Sequence, residues 1–238
     1  MQQFNGKARF VSENYGESAL AKRFGVDRYP AIFVDDVLVA TPNDFGFYGK
    51  GAAESGGRYA PLKSVEAHEH LRGDLTRMIS LILEGKKDAA RKVAAPKTRD
   101  DLAELPAFNL VGLDGKHLSR KDLEGKVVLV EFWATWCPPC RGTLAWLGEV
   151  KKKYGDRLSV VAIAVESEEP NVRKLTTDLK APLFWAIGSP DLVRSFGDIG
   201  AVPTLFLFDQ QGKRVSTFFG APPTLHATAE SKIAATVR

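Results

Sequence analysis

Cysteine is nearly absent from this chain, with two residues, Cys137 and Cys140, in 238. A single pair cannot build the disulfide framework that staples small secreted domains. Histidine and methionine are scarce too, at four and two residues. A structural zinc site needs four ligands, usually two cysteine pairs or two Cys with two His. His68, His70, His117 and His226 have no such spacing to the cysteines, and His68 and His70, two apart, do not share a helix face. No metal is therefore expected. The glycines of "NDFGFYGKGAAESGGRYAP" (43–61) lack the Walker spacing and the trailing Gly-Lys-Ser/Thr and read as a mobile loop, and no other cofactor is expected. No run of about 18 apolar residues exists, so no membrane span is expected. The start, "MQQFNGKARF", lacks the apolar core of a signal peptide. The net charge is +4, with basic residues scattered or in short runs such as "KKK" (151–153). A nucleic-acid surface wants a denser stripe, so no nucleic-acid partner is expected.

What is present is an ordinary globular composition, 44% hydrophobic and 26% charged over 238 residues, with room for one large or two small domains. Asp114-Gly115 marks a short hairpin, followed by a polar helix or turn. "VVLVEFW" (127–133) is the near-continuous apolar run of a strand buried on both faces. After the cysteines a helix is predicted to about Tyr154, with Leu144, Leu147, Val150 and Tyr154 on one apolar stripe. "LSVVAIAV" (158–165) predicts a second buried strand. A helix over 170–180, a strand in "LFWAI", a helix over about 190–196, the strands "PTLFLFD" and "KRVSTFF" and a C-terminal helix follow. This alternation, closed by a hairpin, predicts an α/β sandwich with a mixed sheet. The charged, Ala-rich segment 83–105 marks a boundary, giving domains at 1–95 and 104–238 with a linker at 96–103. "LAKRFGVDRYPAIFVDDVLVA" (20–40) and "LVRSFGDIGAVPTLFLFDQQGKRVS" (192–216) form a weak internal repeat, offset by one residue between the Phe and the Pro.

A disulfide closing so small a loop removes little chain entropy, so a reactive pair is the better reading of Cys137 and Cys140. Cys137 ends a buried strand and opens a helix, where free N–H groups and the helix dipole stabilise a thiolate, the nucleophilic form. Cys140 lies one turn along. Pro138 and Pro139 are tolerated in the first turn, and their missing N–H groups take two donors away from the thiolate. A less stabilised reduced form is a better reductant, so a reducing poise is expected. Glu131 sits in the apolar strand among Val130, Phe132 and Trp133. Desolvation should raise its pKa and suit it to proton transfer near neutral pH. The alternative is a side chain that reaches solvent or a surface lysine.

"VVLVEFWATWCPPCR", with "AFNLVGLDGKHLSRKDLEGK" before it and "GAVPTLFLFDQQGKRV" after it, resembles the thioredoxin superfamily over about 104–238. The likeness is to the extracytoplasmic thiol–disulfide reductases of the TlpA/ResA/CcmG type. It implies a thioredoxin-like three-layer sandwich with a mixed β-sheet and a cis Val202–Pro203 bond facing the cysteines. It also implies that the Val202 backbone pairs with a bound substrate strand. Cys137 would attack a partner disulfide, Cys140 would resolve the mixed disulfide, and Glu131 would take the Cys140 proton. Trp136, Pro138, Pro139 and Val202 would form an apolar docking rim, packing being the alternative for Trp136, and Pro203 would join them in binding the substrate. The partners implied are protein disulfides and an upstream thiol electron donor. Thioredoxin pairs its buried acid with a lysine on the next strand, and the matching position here is read as Ile163. Thr143 and Ala145 stand where many of these reductases carry an acid and a helix-kinking proline, which weakens apocytochrome c as the substrate.

The first 95 residues resemble only the second half of a thioredoxin fold, as a smaller partial α/β domain: a strand "ARFVS" (8–12), a helix "SALAKRF", Pro30 after Tyr29, and a strand pair. Without cysteine this part cannot do thiol chemistry. Either upstream residues complete it, or it covers its sheet edge by docking on the second domain or on another copy as a dimer. The family resemblance implies an extracytoplasmic, periplasmic setting with a leader removed, and a cytoplasmic one stays open. A second function class is a Cu(I) metallochaperone or metal-site assembly factor using the same soft thiolates, although no Met or His cluster accompanies them. A thiol peroxidase would need a Thr-x-x-Cys motif that is missing.

Overall fold

The structure, a computed structural model, describes residues 4–14, 18–26, 30–45, 58–59, 64–93, 102–197, 199 and 201–237. The chain forms two compact units, Met1–Arg99 and Asp100–Arg238. Of the linker expected at 96–103, residues 96–101 lie outside the described residues, as does most of the loop read at 43–61. Among the described residues no helix is long and apolar enough to cross a membrane.

In the first unit, α1 (Ala19–Phe24) is capped by Ser18, whose Oγ accepts the Ala21 N–H at 2.8 Å, satisfying one of the helix's orphan donors. β1 (Ile32–Val34) and β2 (Val37–Ala40) pair as an antiparallel hairpin. Its tight turn takes Asp35 to φ 56°, a left-handed conformation that Asp tolerates better than most residues. Lys87 neutralises the turn, lying 2.8 Å from Asp35 and 2.7 Å from Asp36. α2 (Pro42–Phe45), α3 (Val65–Leu83) and α4 (Lys87–Lys92) follow. Val37, Val39, Met78 and Ala90 form one small core, and Ala40, Phe45, Tyr59 and Ala67 another.

The strand expected over 8–12 does not form. Phe10 is 77% exposed, and among the described residues this unit's sheet holds only β1 and β2. Strand propensity is realised through packing and pairing, and this segment has neither. Of the pieces expected in this unit, α1 and the hairpin form.

The second unit opens with β3 (Asn109–Val111) paired to β4 (His117–Ser119). A one-turn 3-10 helix at Arg120–Leu123 follows, closed by a capping box between Ser119 and Asp122. β5 (Val127–Trp133), α5 (Pro138–Tyr154), β6 (Leu158–Ala164), α6 (Glu169–Leu179) and β7 (Phe184–Ile187) come next. α7 (Pro190–Ser195), β8 (Thr204–Phe208), β9 (Arg214–Phe219) and α8 (Leu225–Thr236) complete the unit. The sheet order is β7-β6-β5-β8-β9, with β5, β6 and β7 parallel and β8 and β9 antiparallel. Every residue of β5 is buried, as a central strand covered on both faces requires.

Alternation along the strands divides the core. Val127 and Leu129 of β5 join Val160, Leu205 and Leu207 under Leu147 and Val150 of α5 and Leu225 and Ile233 of α8. On the other face Phe132 and Phe206 pack against Phe196, with ring centroids 5.0 and 5.6 Å away. Helix α5 runs close over its neighbours: a Cβ on Gly148 would lie 2.8 Å from the Ala181 Cβ. The start of β9 is bordered by the chain entering the unit, where the Arg214 N–H donates to Ala103 O and the Leu105 N–H to Gly212 O.

Candidate active site

β5 ends at Trp133, and four residues later Cys137 is the N-cap of α5, in extended conformation at φ −100° and ψ 98°. Pro138 and Pro139 fill the first two helical positions, where a missing N–H breaks no intrahelical bond. The first helical N–H that can reach back belongs to Cys140, and it donates to the Cys137 Sγ at 3.3 Å. The two sulfurs are joined in a disulfide across this first turn, with the Cα atoms 5.4 Å apart. The chain is thus described in its oxidised form. Cys140 is fully buried and Cys137 is 3% exposed, whereas Trp136 just before it is 54% exposed. Pro138 and Pro139 are exposed as well.

Val202 and Pro203 are joined by a cis peptide bond. Phe132 of β5 pairs with Thr204 of β8, so Pro203 stands at the end of the sheet from which β5 leads to the cysteines. The turn is held by Thr204 Oγ1 donating to Ala201 O at 2.7 Å and by Gly220 N–H donating to Pro203 O at 2.8 Å. Both Val202 and Pro203 are buried. Of the five residues read as substrate-binding, Trp136, Pro138 and Pro139 therefore present surface, and Val202 and Pro203 present little.

Glu131 is fully buried and lies on the face of β5 that α5 covers, two residues from Leu129 and from Trp133. Among the described residues neither carboxylate oxygen has a hydrogen-bond partner, and the same holds for the Trp133 Nε1 on that face. Desolvation pushes the Glu131 carboxyl well above its ordinary value of 4.5. The alternative, a side chain that reaches solvent or a surface lysine, is not what forms. The strand partners of Glu131 are Ala162 and Leu205. Ile163, read from the sequence as the position facing it, pairs instead with Phe132, and its side chain takes the opposite face. The row beside Glu131 continues through Ala162 to Trp185, whose ring meets Trp133 edge-on with centroids 5.8 Å apart. Thr143 is buried, and its hydroxyl donates to Pro139 O at 3.2 Å. It is turned into its own helix and supplies no second carboxyl.

The sequence reading missed a set of contacts beside the cysteines. The Trp136 indole N–H donates to Glu166 O at 3.0 Å, and the Thr135 N–H donates to Ser167 Oγ at 2.9 Å. Glu166 and Ser167 belong to the loop after β6. The usable signal was topological: loops at the carboxyl ends of adjacent parallel strands converge at such sites. Among the described residues no group of three or more His, Cys, Asp or Glu is placed to hold a metal ion.

The second unit is similar to known proteins. Residues 101–236 match the Redoxin family. A thiol-disulfide oxidoreductase ResA of Bacillus cereus is 34% identical over 120 residues, covering 49% of this chain and 68% of that protein. The thioredoxin-like protein YneN of Bacillus subtilis is 35% identical over 114 residues, covering 46% of this chain and 65% of that protein. Among solved structures, a putative thiol:disulfide interchange protein DsbE from Chlorobium tepidum superposes with a TM-score of 0.53 at 28% identity, over 60% of this chain and 100% of that one.

Proposed function

The chain belongs to the redoxin family, and from that premise we propose that it is a thiol–disulfide oxidoreductase that works on proteins in the reducing direction. The Cys137 thiolate attacks one sulfur of a partner disulfide, forming a mixed disulfide and releasing the partner's other sulfur as a thiolate. The Cys140 thiolate then attacks the Cys137 Sγ. This releases the second partner thiolate and leaves the internal disulfide, two electrons having passed to the partner. Glu131 takes the proton that Cys140 loses. An upstream dithiol restores the reduced pair.

The observation that carries the reading is the first turn of α5. Cys137 caps the helix, Cys140 bonds to it, and the two residues between have no N–H. Among the described residues one backbone donor, that of Cys140, meets the Cys137 sulfur, so the thiolate gains little and the dithiol gives up its electrons readily. The exposed Trp136, Pro138 and Pro139 serve as the docking rim, with Val202 and Pro203 behind the same end of the sheet. The extracytoplasmic setting implied by the sequence resemblance belongs to this proposal, and cell fractionation tests it.

The test is reduction of insulin disulfides by the full chain with a dithiol donor. Wild type should turn over, Cys137→Ser should not, and Cys140→Ala should accumulate mixed disulfides with partners that can be recovered from the native cell. A Cys137→Ser variant reducing insulin at the wild-type rate would end this mechanism. A reduction potential near that of strong periplasmic oxidants, roughly −120 mV, would reverse its direction.

A further inference from the structure

We infer that Ser167 is a positioning residue for the attacking cysteine, acting through Thr135 and Trp136; the inference rests on the reductase reading above. Its hydroxyl is a junction. It accepts from the Thr135 N–H at 2.9 Å and from the Thr135 hydroxyl at 3.2 Å, and it donates to Val165 O at 2.9 Å. Val165 is in turn tied to β5, its N–H donating to Trp133 O at 2.8 Å. One residue back, Glu166 O accepts the Trp136 indole N–H at 3.0 Å. The two residues immediately before Cys137 are thus held by two consecutive residues of the loop after β6.

Glu166 adopts φ 45° to make this possible. A side chain larger than glycine's rarely takes that conformation unless its surroundings fix it. Here the turn aims the Glu166 carbonyl at the indole and brings the Ser167 hydroxyl under the Thr135 amide.

The brace matters most in the reduced protein. The Sγ–Sγ bond then no longer ties Cys137 to the helix. The segment leading into it is held by the Cys137 N–H bond to Ala134 O, 3.1 Å, and by the contacts of Ser167 and Glu166. Attack on a partner disulfide needs the sulfur and the docking indole in one fixed relation, since small misplacements at the reacting atoms are expensive in rate. No brace atom is hydrogen-bonded to the Cys137 sulfur in the described contacts, whose donor is the Cys140 N–H. Ser167 therefore acts on position and leaves the thiolate's basicity alone.

The experiment compares wild type, Ser167→Ala and Ser167→Thr as full chains. Ser167→Ala should lower kcat/KM for insulin reduction about five- to tenfold, and Ser167→Thr, which keeps the hydroxyl, should stay within about twofold of wild type. The pH midpoint for alkylation of Cys137 should be the same in all three. Hydrogen exchange of the Trp136 indole, followed by NMR, should speed up in Ser167→Ala alone. A folded Ser167→Ala chain with wild-type kcat/KM overturns the inference, as does an equal loss in Ser167→Thr or a shifted alkylation midpoint. Trp136→Phe keeps an aromatic ring and deletes the indole donor. If Ser167→Ala does not fold, Trp136→Phe is read by kcat and KM separately: a lower kcat at unchanged KM supports the brace, and an unchanged kcat overturns it whether or not KM rises. An active wild type with an unimpaired Ser167→Ala refutes the role of Ser167 only, whereas a wild type that reduces no insulin refutes the reductase reading itself.

Discussion

Glu131→Gln should gain stability relative to wild type as pH rises above the unfolded carboxyl range. In the folded chain Glu131 is fully buried, its oxygens have no hydrogen-bond partner among the described residues, and its strand neighbours are Ala162 and Leu205. Desolvation alone pushes its pKa well above 4.5, so the fold favours the protonated carboxyl more strongly than the unfolded chain does. The native state therefore binds this proton more tightly. Its contribution to stability is complete below the unfolded carboxyl range, falls as pH rises above it, and is fully lost once pH passes the folded pKa. For one proton the slope between those limits is about 1.36 kcal/mol per pH unit. The glutamine amide, of nearly equal size, does not titrate. Its own unmet hydrogen bonds cost about 1–3 kcal/mol, which offsets the whole curve without tilting it. Urea denaturation of the oxidised wild type and variant between pH 4 and 8 measures the difference. The variant's relative stability should climb at that slope from about pH 5 and level off at the folded pKa. A difference that stays flat across this range, or falls with pH, refutes the reasoning.

Two further outcomes follow from the packing and from the helix start. Pro139→Ala restores an N–H at the second helical position beside the Cys137 sulfur. A hydrogen bond to a charged group contributes about 1.5–3 kcal/mol, so the potential measured against glutathione should become less negative by about 30–60 mV, and an unmoved potential counts against the role given to the prolines. Gly148→Ala places a methyl 2.8 Å from the Ala181 Cβ and should cost about 1–3 kcal/mol of stability. Ala181→Gly in the same chain should recover most of that in a double-mutant cycle by urea unfolding.

The order of elements in the second unit was legible because each segment carries its own period. The apolar run 127–133 reads as a strand buried on both faces, and the stripe of Leu144, Leu147 and Val150 reads as one face of α5. What could not be read was the register between two such strands. β5 and β6 are both apolar on both faces, so sliding one past the other by a residue leaves each pattern intact and swaps every facing pair. That is why Ile163 was read as facing Glu131 where Ala162 stands. A different limit applies to 8–12, whose composition suits a strand while no pairing partner among the described residues realises it. The cysteine site was visible as spacing along one segment. The Ser167–Thr135 contact joins residues 32 apart and depends on strand order, which local patterns do not carry.

The same carboxyl that lowers stability as pH rises is the one assigned to receive the Cys140 proton, and the two roles tie together. A protonated Glu131 cannot accept a proton, so at low pH the resolving step lacks its base. As pH passes the folded pKa, Glu131 ionises, the step gains an acceptor, and the fold loses the stability that the neutral carboxyl supplied. Instability should then rise up to the folded pKa and level off there, while the rate rises through that same pH. The decay of the mixed disulfide, followed by stopped flow with an insulin-derived partner, should accelerate with pH in wild type. In Glu131→Gln it should lack that acceleration and run slower at pH 8. The kinetic midpoint and the levelling point of the stability curve should agree to within about one pH unit. If mixed-disulfide decay in Glu131→Gln follows the wild-type pH profile while the stability difference keeps its slope, Glu131 is a buried acid with no part in the proton transfer.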